Sequence, residues 1–197
     1  KFLHFSSSVV YGGRLDDSHR VSEEEIGLVD MLSDRAAYDE AKRFAETMVK
    51  TYRDVYNLDT KILRLFRVYG PHMPLDEGHM IPDFISAALD DRDLIIHGDP
   101  SFSSSYCYVA DCVSAAIRMM DSTQAGPINI GSDINLNIED LAKKIIAMLE
   151  SESKISYDKA MLFMTPLALP NITKARELLG WMPLVTLENG LQKTIDN

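Results

Sequence analysis

Residues 35–66 read RAAYDEAKRFAETMVKTYRDVYNLDTKILRLF, and the apolar pattern changes period within them. Tyr38, Ala41, Ala45, Met48, Val49 and Tyr52 recur at helical spacing, which predicts a long helix from Arg35 to Tyr56. Lys61-Ile-Leu-Arg-Leu-Phe66 is apolar and short, and reads as a strand. Upstream, Lys1–Phe5 is a second apolar strand that runs into Ser6-Ser7-Ser8, and Tyr11-Gly12-Gly13 is a turn. The polar, acidic residues 14–34 form an excursion over the surface.

Downstream of Pro71 and Pro74 the elements shorten. The pattern predicts helices over Met80–Leu89, Asp111–Met120, Asn137–Leu149, Thr173–Leu179 and Leu187–Ile195. Strands are predicted at Leu94–Ile96, Ser105–Val109 and Pro127–Ile130, with an edge strand within 151–158. Asp111 or its neighbour is the expected N-cap of its helix, and Asn137 caps the next one, with Asp140 completing a variant capping box. Alternating strands and helices argue an α/β fold: a partial Rossmann-type doubly wound parallel sheet with a small mixed α/β C-terminal substrate domain. Residues 1–70 are assigned to the first part. Residues 71–197 are assigned mainly to the second, with some segments returning to the sheet.

The composition, 46% hydrophobic and 25% charged, is that of a soluble globular chain. A net charge of -10 argues against nucleic-acid and acidic-membrane partners, because phosphate surfaces need clustered positive charge. No apolar run is long enough to span a membrane, and the start is not a signal peptide. Cys107 and Cys112, with no histidine cluster nearby, make neither a disulfide framework nor a zinc site. Reduced thiols suit a cytoplasmic location. The chain opens inside a strand and without methionine, so a partial chain is expected.

Tyr38 and Lys42 lie one helical turn apart on one face. A nearby ammonium favours the phenolate form of a tyrosine, and a phenolate can take a proton from an alcohol while hydride leaves the adjacent carbon. Ser7, at the end of the first strand, can hydrogen-bond the same oxygen. The bland reading of the pair is a half-buried tyrosine beside a solvated lysine. Other candidates are weaker. His4 reads as a packed or hydrogen-bonded strand residue. His72, His79 and His97 lack metal-ligand spacing, although His72 and His79 could approach a substrate. Glu23-Glu24-Glu25 reads as a solvated face. Asp76-Glu77 are adjacent, so their side chains diverge and do not form a glycosidase pair.

The segments SSSVVYG, YDEAKRFAE, LRLFRVYGP and YCYVADCVSA occur in that order, followed by ITKARELLGWMPLVTLENGL. Together they resemble the extended short-chain dehydrogenase/reductase family, in its nucleotide-sugar epimerase, dehydratase and decarboxylase group. The YDE-x-KR-x-AE segment is similar to that of UDP-glucuronate decarboxylase and its relatives. The resemblance implies transient oxidation of a nucleoside diphosphate sugar at C4 with bound NAD. It implies Tyr38 as catalytic base, Lys42 on the nicotinamide ribose and Ser7 on the sugar hydroxyl. Phe66 and Val68 would lie against the cofactor. Ser8, Arg67, Tyr69 and His79 would lie against the substrate. A homodimer is expected, built on the Tyr38 helix and the Met80–Leu89 helix.

The sequence departs from the family pattern in places. No Gly-x-x-Gly-x-x-Gly turn is present, and Gly12-Gly13 has the wrong spacing for a phosphate loop, so NAD binding by this chain should be weak or absent. Val9 stands where dehydratases and decarboxylases of the family often carry an acid. Arg67 replaces an asparagine, Ser104 within Ser103–Ser105 replaces an arginine, and 167–172 (LALPNI) replaces a basic segment. The alternative reading is a non-catalytic nucleotide-sugar-binding homologue, or an inactive fragment of the enzyme.

Overall fold

The computed structural model describes residues 1–14, 16, 18–75, 77–159 and 167–197, so Asp76 lies outside the described residues. In chain order the first half holds β1 (Phe2–Ser7), a 3-10 turn (Ser8–Tyr11), β2 (Arg20–Val21), α1 (Ala36–Tyr56), β3 (Thr60–Leu65), β4 (Val68–Tyr69) and α2 (Met80–Leu89). There follow β5 (Leu94–His97), β6 (Ser103–Ser104), β7 (Cys107–Tyr108), α3 (Val109–Asp121), β8 (Ile128–Ile130), β9 (Leu136–Asn137) and α4 (Ile138–Leu149). The chain ends with β10 (Ile155–Asp158), β11 (Leu169–Pro170), α5 (Thr173–Leu179) and α6 (Leu187–Ile195).

The main sheet runs β1-β3-β8, all parallel, with Phe2 opposite Thr60 and Leu63 opposite Ile128. Successive residues of β3 point to opposite faces. Leu63 joins a core with Ile128, Ile130, Ala115, Met119 and Trp181, beneath α3 and α5. Arg64, on the other face, meets α1 through Glu46. Helices on both faces of a parallel sheet are the doubly wound arrangement. A second core joins Tyr69, Tyr108 and Leu191 to apolar residues of α2, α4 and β5. Small ribbons pair β5 with β10, β2 with β11 and β4 with β7 in parallel, and β6 with β9 antiparallel.

Several local expectations are corrected. The strand expected over 105–109 is shorter: β7 occupies only Cys107–Tyr108 and Val109 already begins α3, while the separate β6 holds Ser103–Ser104. Tyr108, not Asp111, is the N-cap of α3, without a side-chain bond. The Asp111 carboxylate instead accepts the Val185 N–H at 3.0 Å, and its carbonyl accepts the Trp181 indole N–H at 2.9 Å. The late GWMP segment is therefore an anchor onto α3. Glu23 is not part of a solvated face: its carboxylate accepts the Asn129 backbone N–H at 2.7 Å. Asn137 does cap α4, accepting from the Glu139 and Asp140 N–H groups. Gly12, at φ +73, closes the 3-10 turn where an added Cβ would stand 1.9 Å from the Leu28 carbonyl oxygen, so this position requires glycine.

The helix α1 is amphipathic in an unexpected sense. Its sheet-facing side carries Lys42, Arg43 and Glu46 around buried Val49, while Phe44, Tyr52 and Val55 are exposed at 65%, 47% and 66%. The Met80–Leu89 helix is turned the other way. Ile81, Phe84, Ile85 and Ala88 are buried in the core with α4, so the expected dimer contribution of that face is spent inside the chain.

Candidate functional site

The carboxyl ends of β1 and β3 lie side by side, and ligands of open α/β sheets bind at such ends. Ser7 ends β1 and caps the 3-10 turn, its hydroxyl oxygen accepting the Val9 N–H at 3.4 Å. Tyr38 lies in the first turn of α1 and is half exposed. Lys42 places Nζ 5.8 Å from the Tyr38 ring centroid and donates at 3.0 Å to the Phe5 carbonyl, two residues before Ser7. An ammonium has three donors, and this bond uses one.

A polar clamp that the sequence reading missed fixes this corner. Ser6 Oγ donates to Glu46 Oε1 at 2.5 Å. Arg64 grips the same carboxylate in a fork, Nε to Oε1 at 2.9 Å and Nη2 to Oε2 at 2.7 Å. Arg64 Nη1 also donates to the Tyr11 hydroxyl at 2.6 Å, and that hydroxyl donates to Asn129 Oδ1 at 2.8 Å. One chain of bonds therefore joins β1, the 3-10 turn, α1, β3 and β8. An arginine in the middle of an apolar strand was the signal available in the sequence, since buried charge requires a partner. On β1, His4 is packed with its Nε2 buried and unpaired, and burial followed by the Lys42 charge holds its pKa down.

A second group surrounds a cavity of about 900 Å³, whose lining includes Arg67, Val68, Tyr69, His79, Phe102 and Tyr106. Ser7, Tyr38 and Lys42 are outside that lining. Arg35 links the two groups, because it lines the cavity while its guanidinium carbon lies 6.0 Å from the Tyr38 ring centroid. Among the residues expected to touch cofactor or substrate, Ser8 and Phe66 are buried, at 2% and 1% exposed. Phe66 packs beside Tyr11 in a small core of its own. The Tyr69 hydroxyl donates to the Leu187 carbonyl at 3.3 Å, and burial raises its pKa. His79 precedes α2 and is exposed at the cavity wall. Cys107 and Cys112 are free and buried, with their sulfurs 3.6 Å apart.

A family model described as the NAD dependent epimerase/dehydratase family matches residues 1–131. The chain belongs to that family. It is 36% identical over 191 residues to UDP-glucuronic acid decarboxylase 4 of Arabidopsis thaliana, covering 97% of this chain and 43% of that protein. It is 35% identical to UDP-glucuronic acid decarboxylase 1 of Xenopus tropicalis, covering 99% of this chain and 46% of that one. The solved UDP-glucuronic acid 4-epimerase of Bacillus cereus, in complex with UDP-glucuronic acid and NAD, superposes with a TM-score of 0.87 at 26% identity, covering 99% of this chain and 60% of that one. The chain spans about half the length of the curated relatives it matches.

For a member of the epimerase/dehydratase family, the donor set can be tested against NAD. A half-exposed phenol, a lysine with donors to spare and a serine hydroxyl at a strand end suit the hydroxyl-rich nicotinamide ribose. Among the described residues, the strand-to-helix passage from β1 to α1 offers no glycine turn of the kind that receives a pyrophosphate. The residues present thus fit one end of the dinucleotide.

Proposed function

We propose that the whole protein modifies a nucleoside diphosphate sugar by NAD-dependent chemistry of the epimerase, dehydratase or decarboxylase type, through transient oxidation at C4. The observation that carries this reading is Lys42, poised between the Tyr38 ring and the strand end that bears Ser7. Bound NAD would supply the hydride acceptor. Tyr38 takes the proton from the sugar hydroxyl, Ser7 holds that oxygen, and Lys42 contacts the ribose and keeps positive charge beside the phenol. Val68, Arg67, Tyr69 and His79 contribute from the neighbouring cavity wall. Phe66 and Ser8 serve from behind, through packing. Val9, 2% exposed in the core, supplies no proton carrier, which favours epimerisation over reactions that need a further acid.

In this reading residues 1–70 belong to the cofactor-binding part and residues 71–197 mainly to the substrate part, with β8 returning to the main sheet. The apolar exposed stripe of α1 supports a homodimer. Among the described residues no helix is long and apolar enough to cross a membrane, and two free buried thiols support a cytoplasmic location.

The test is single-turnover NADH formation by the complete protein, supplied with NAD and a panel of UDP-, GDP-, CDP- and dTDP-sugars. Tyr38→Phe should lower the rate by roughly 100- to 10,000-fold while preserving the fold. Unchanged NADH formation in that variant removes Tyr38 from the mechanism. Absence of NADH with every sugar in the unmutated protein favours the second reading, a nucleotide-sugar-binding homologue without turnover, for which the apolar Val9 also argues.

A further inference from the structure

Cys107 and Cys112 are 1% and 5% exposed and share the core beneath α3 with Leu63, Met119 and Trp181. Cys107 belongs to β7 and Cys112 to α3, so the pair spans a strand-to-helix junction. Their sulfurs are 3.6 Å apart. The Cys112 S–H donates to Cys107 Sγ, and the Cys107 S–H donates to the Tyr108 carbonyl at 3.9 Å. A single buried thiol behaves as a small apolar side chain. Two thiols in contact are also a dithiol held in place for a disulfide, whose sulfurs stand about 2 Å apart.

The surroundings decide how this dithiol behaves. The hydrogen bond with Cys112, and then burial, hold the Cys107 pKa up. A protonated thiol is a poor nucleophile, so the resting pair stays reduced. Reaction requires an oxidant small and uncharged enough to enter an apolar core. Once one sulfur is oxidised, the other is its neighbouring nucleophile, and a held pair reacts as if at high concentration. Bond formation therefore precedes further oxidation of either sulfur.

We infer that Cys107 and Cys112 form a reversible disulfide site that takes a hydroperoxide as oxidant. One thiol attacks the peroxide O–O bond and becomes a sulfenic acid, releasing water. The second thiol attacks that sulfur, the S–O bond breaks, and a second water leaves. Two electrons pass from the sulfurs to the peroxide, and a dithiol reductant returns both thiols. The bond acts on the wall of the cavity of about 900 Å³. In the pairing of β4 with β7, Val68 lies opposite Cys107 and Tyr69 opposite Tyr108. The Cys107 N–H donates to the Arg67 carbonyl at 3.0 Å, and Arg67, Val68 and Tyr69 line the cavity. Tyr108 caps α3 without a side-chain bond and meets the Tyr69 ring edge-on, with centroids 5.6 Å apart. Drawing the sulfurs together from 3.6 Å to about 2 Å turns this junction and moves the wall with it. The site is independent of the proposed function, since it needs neither cofactor nor substrate.

The experiment treats the complete, folded protein with hydrogen peroxide, alkylates the remaining thiols after denaturation, and maps tryptic peptides by mass spectrometry. Residues 93–118 form one such peptide, with both cysteines and no methionine to gain oxygen. After peroxide it should escape alkylation and weigh two hydrogens less than the reduced peptide. Dithiothreitol should restore two alkylated thiols. Cys107→Ala and Cys112→Ala should each abolish the lighter species. Amide hydrogen exchange over 67–69 and 107–112 should differ between the oxidised and reduced wild type. Two alkylated thiols after peroxide, or a disulfide from either cysteine to another residue or another copy, overturns the site. A bond formed with unchanged exchange overturns its coupling to the cavity wall. A bond that forms only once circular dichroism shows unfolding overturns both.

Discussion

The Tyr11 hydroxyl lies between a guanidinium and an amide oxygen, accepting from Arg64 and donating to Asn129. Burial is the main reason its pKa is pushed up to about 12, and the Arg64 charge only partly opposes this. The direction sets a pH dependence. Below the ordinary tyrosine value of 10 both folded and unfolded chains hold the proton, and the contribution to stability is complete. Between 10 and about 12 the unfolded chain loses that proton first, so stability falls with rising pH. The full loss from this one group is about 2–3 kcal/mol. Urea unfolding midpoints should therefore decline through this alkaline window. Tyr11→Phe should show a shallower decline, starting from a lower stability, because two hydrogen bonds have gone. An identical slope in the variant would show that Tyr11 is not the titrating group.

At the scale of the element, α1 is held to the sheet mainly by polar contacts. Arg43 Nη1 donates to the Val10 and Gly27 carbonyls at 2.9 and 3.1 Å, and Glu46 is shared by Ser6 and Arg64. These bonds fix the rotation of α1 about its axis, and with it the direction in which Tyr38 and Lys42 project. Glu46→Ala should destabilise the chain by about 3 kcal/mol, the low end for a broken buried pair, because both partners keep some exposure. The double change Glu46→Ala with Arg64→Met should recover part of that loss, since the uncompensated charge is removed. Chemical denaturation of the single and double variants measures both effects. The helical period of 35–56 was legible because 3.6-residue spacing is local. Which side faces the sheet was not, because apolar residues lie outward and the inward face is satisfied by partners distant in sequence.

At the scale of the whole molecule, Phe44, Met48, Tyr52 and Val55 form an exposed apolar stripe along α1, spaced four, four and three residues apart. Such a stripe is the signature of a packing face without an intramolecular partner. If two copies meet there, the complete protein should sediment as a dimer at micromolar concentration. The double variant Phe44→Glu and Met48→Glu should shift it to monomer while leaving the far-ultraviolet circular dichroism unchanged. A wild-type monomer at high concentration would refute the dimer. The expected second component, Met80–Leu89, is not available to it, since its apolar side packs against α4 inside the chain.

The sequence by itself determined the order and type of most elements, the parallel α/β class and the Asn137 cap, because periodicity and capping are written in neighbouring residues. It also determined that Tyr38 and Lys42 share a helical face. The tertiary structure alone decided that Glu46, Arg64, Tyr11 and Asn129 form one clamp, and that Asp111 reaches Val185 instead of capping its helix. It also decided that Arg67 faces a cavity among other arginines. Each of these depends on side chains brought together from distant segments, and burial then makes pairing or its absence energetically important.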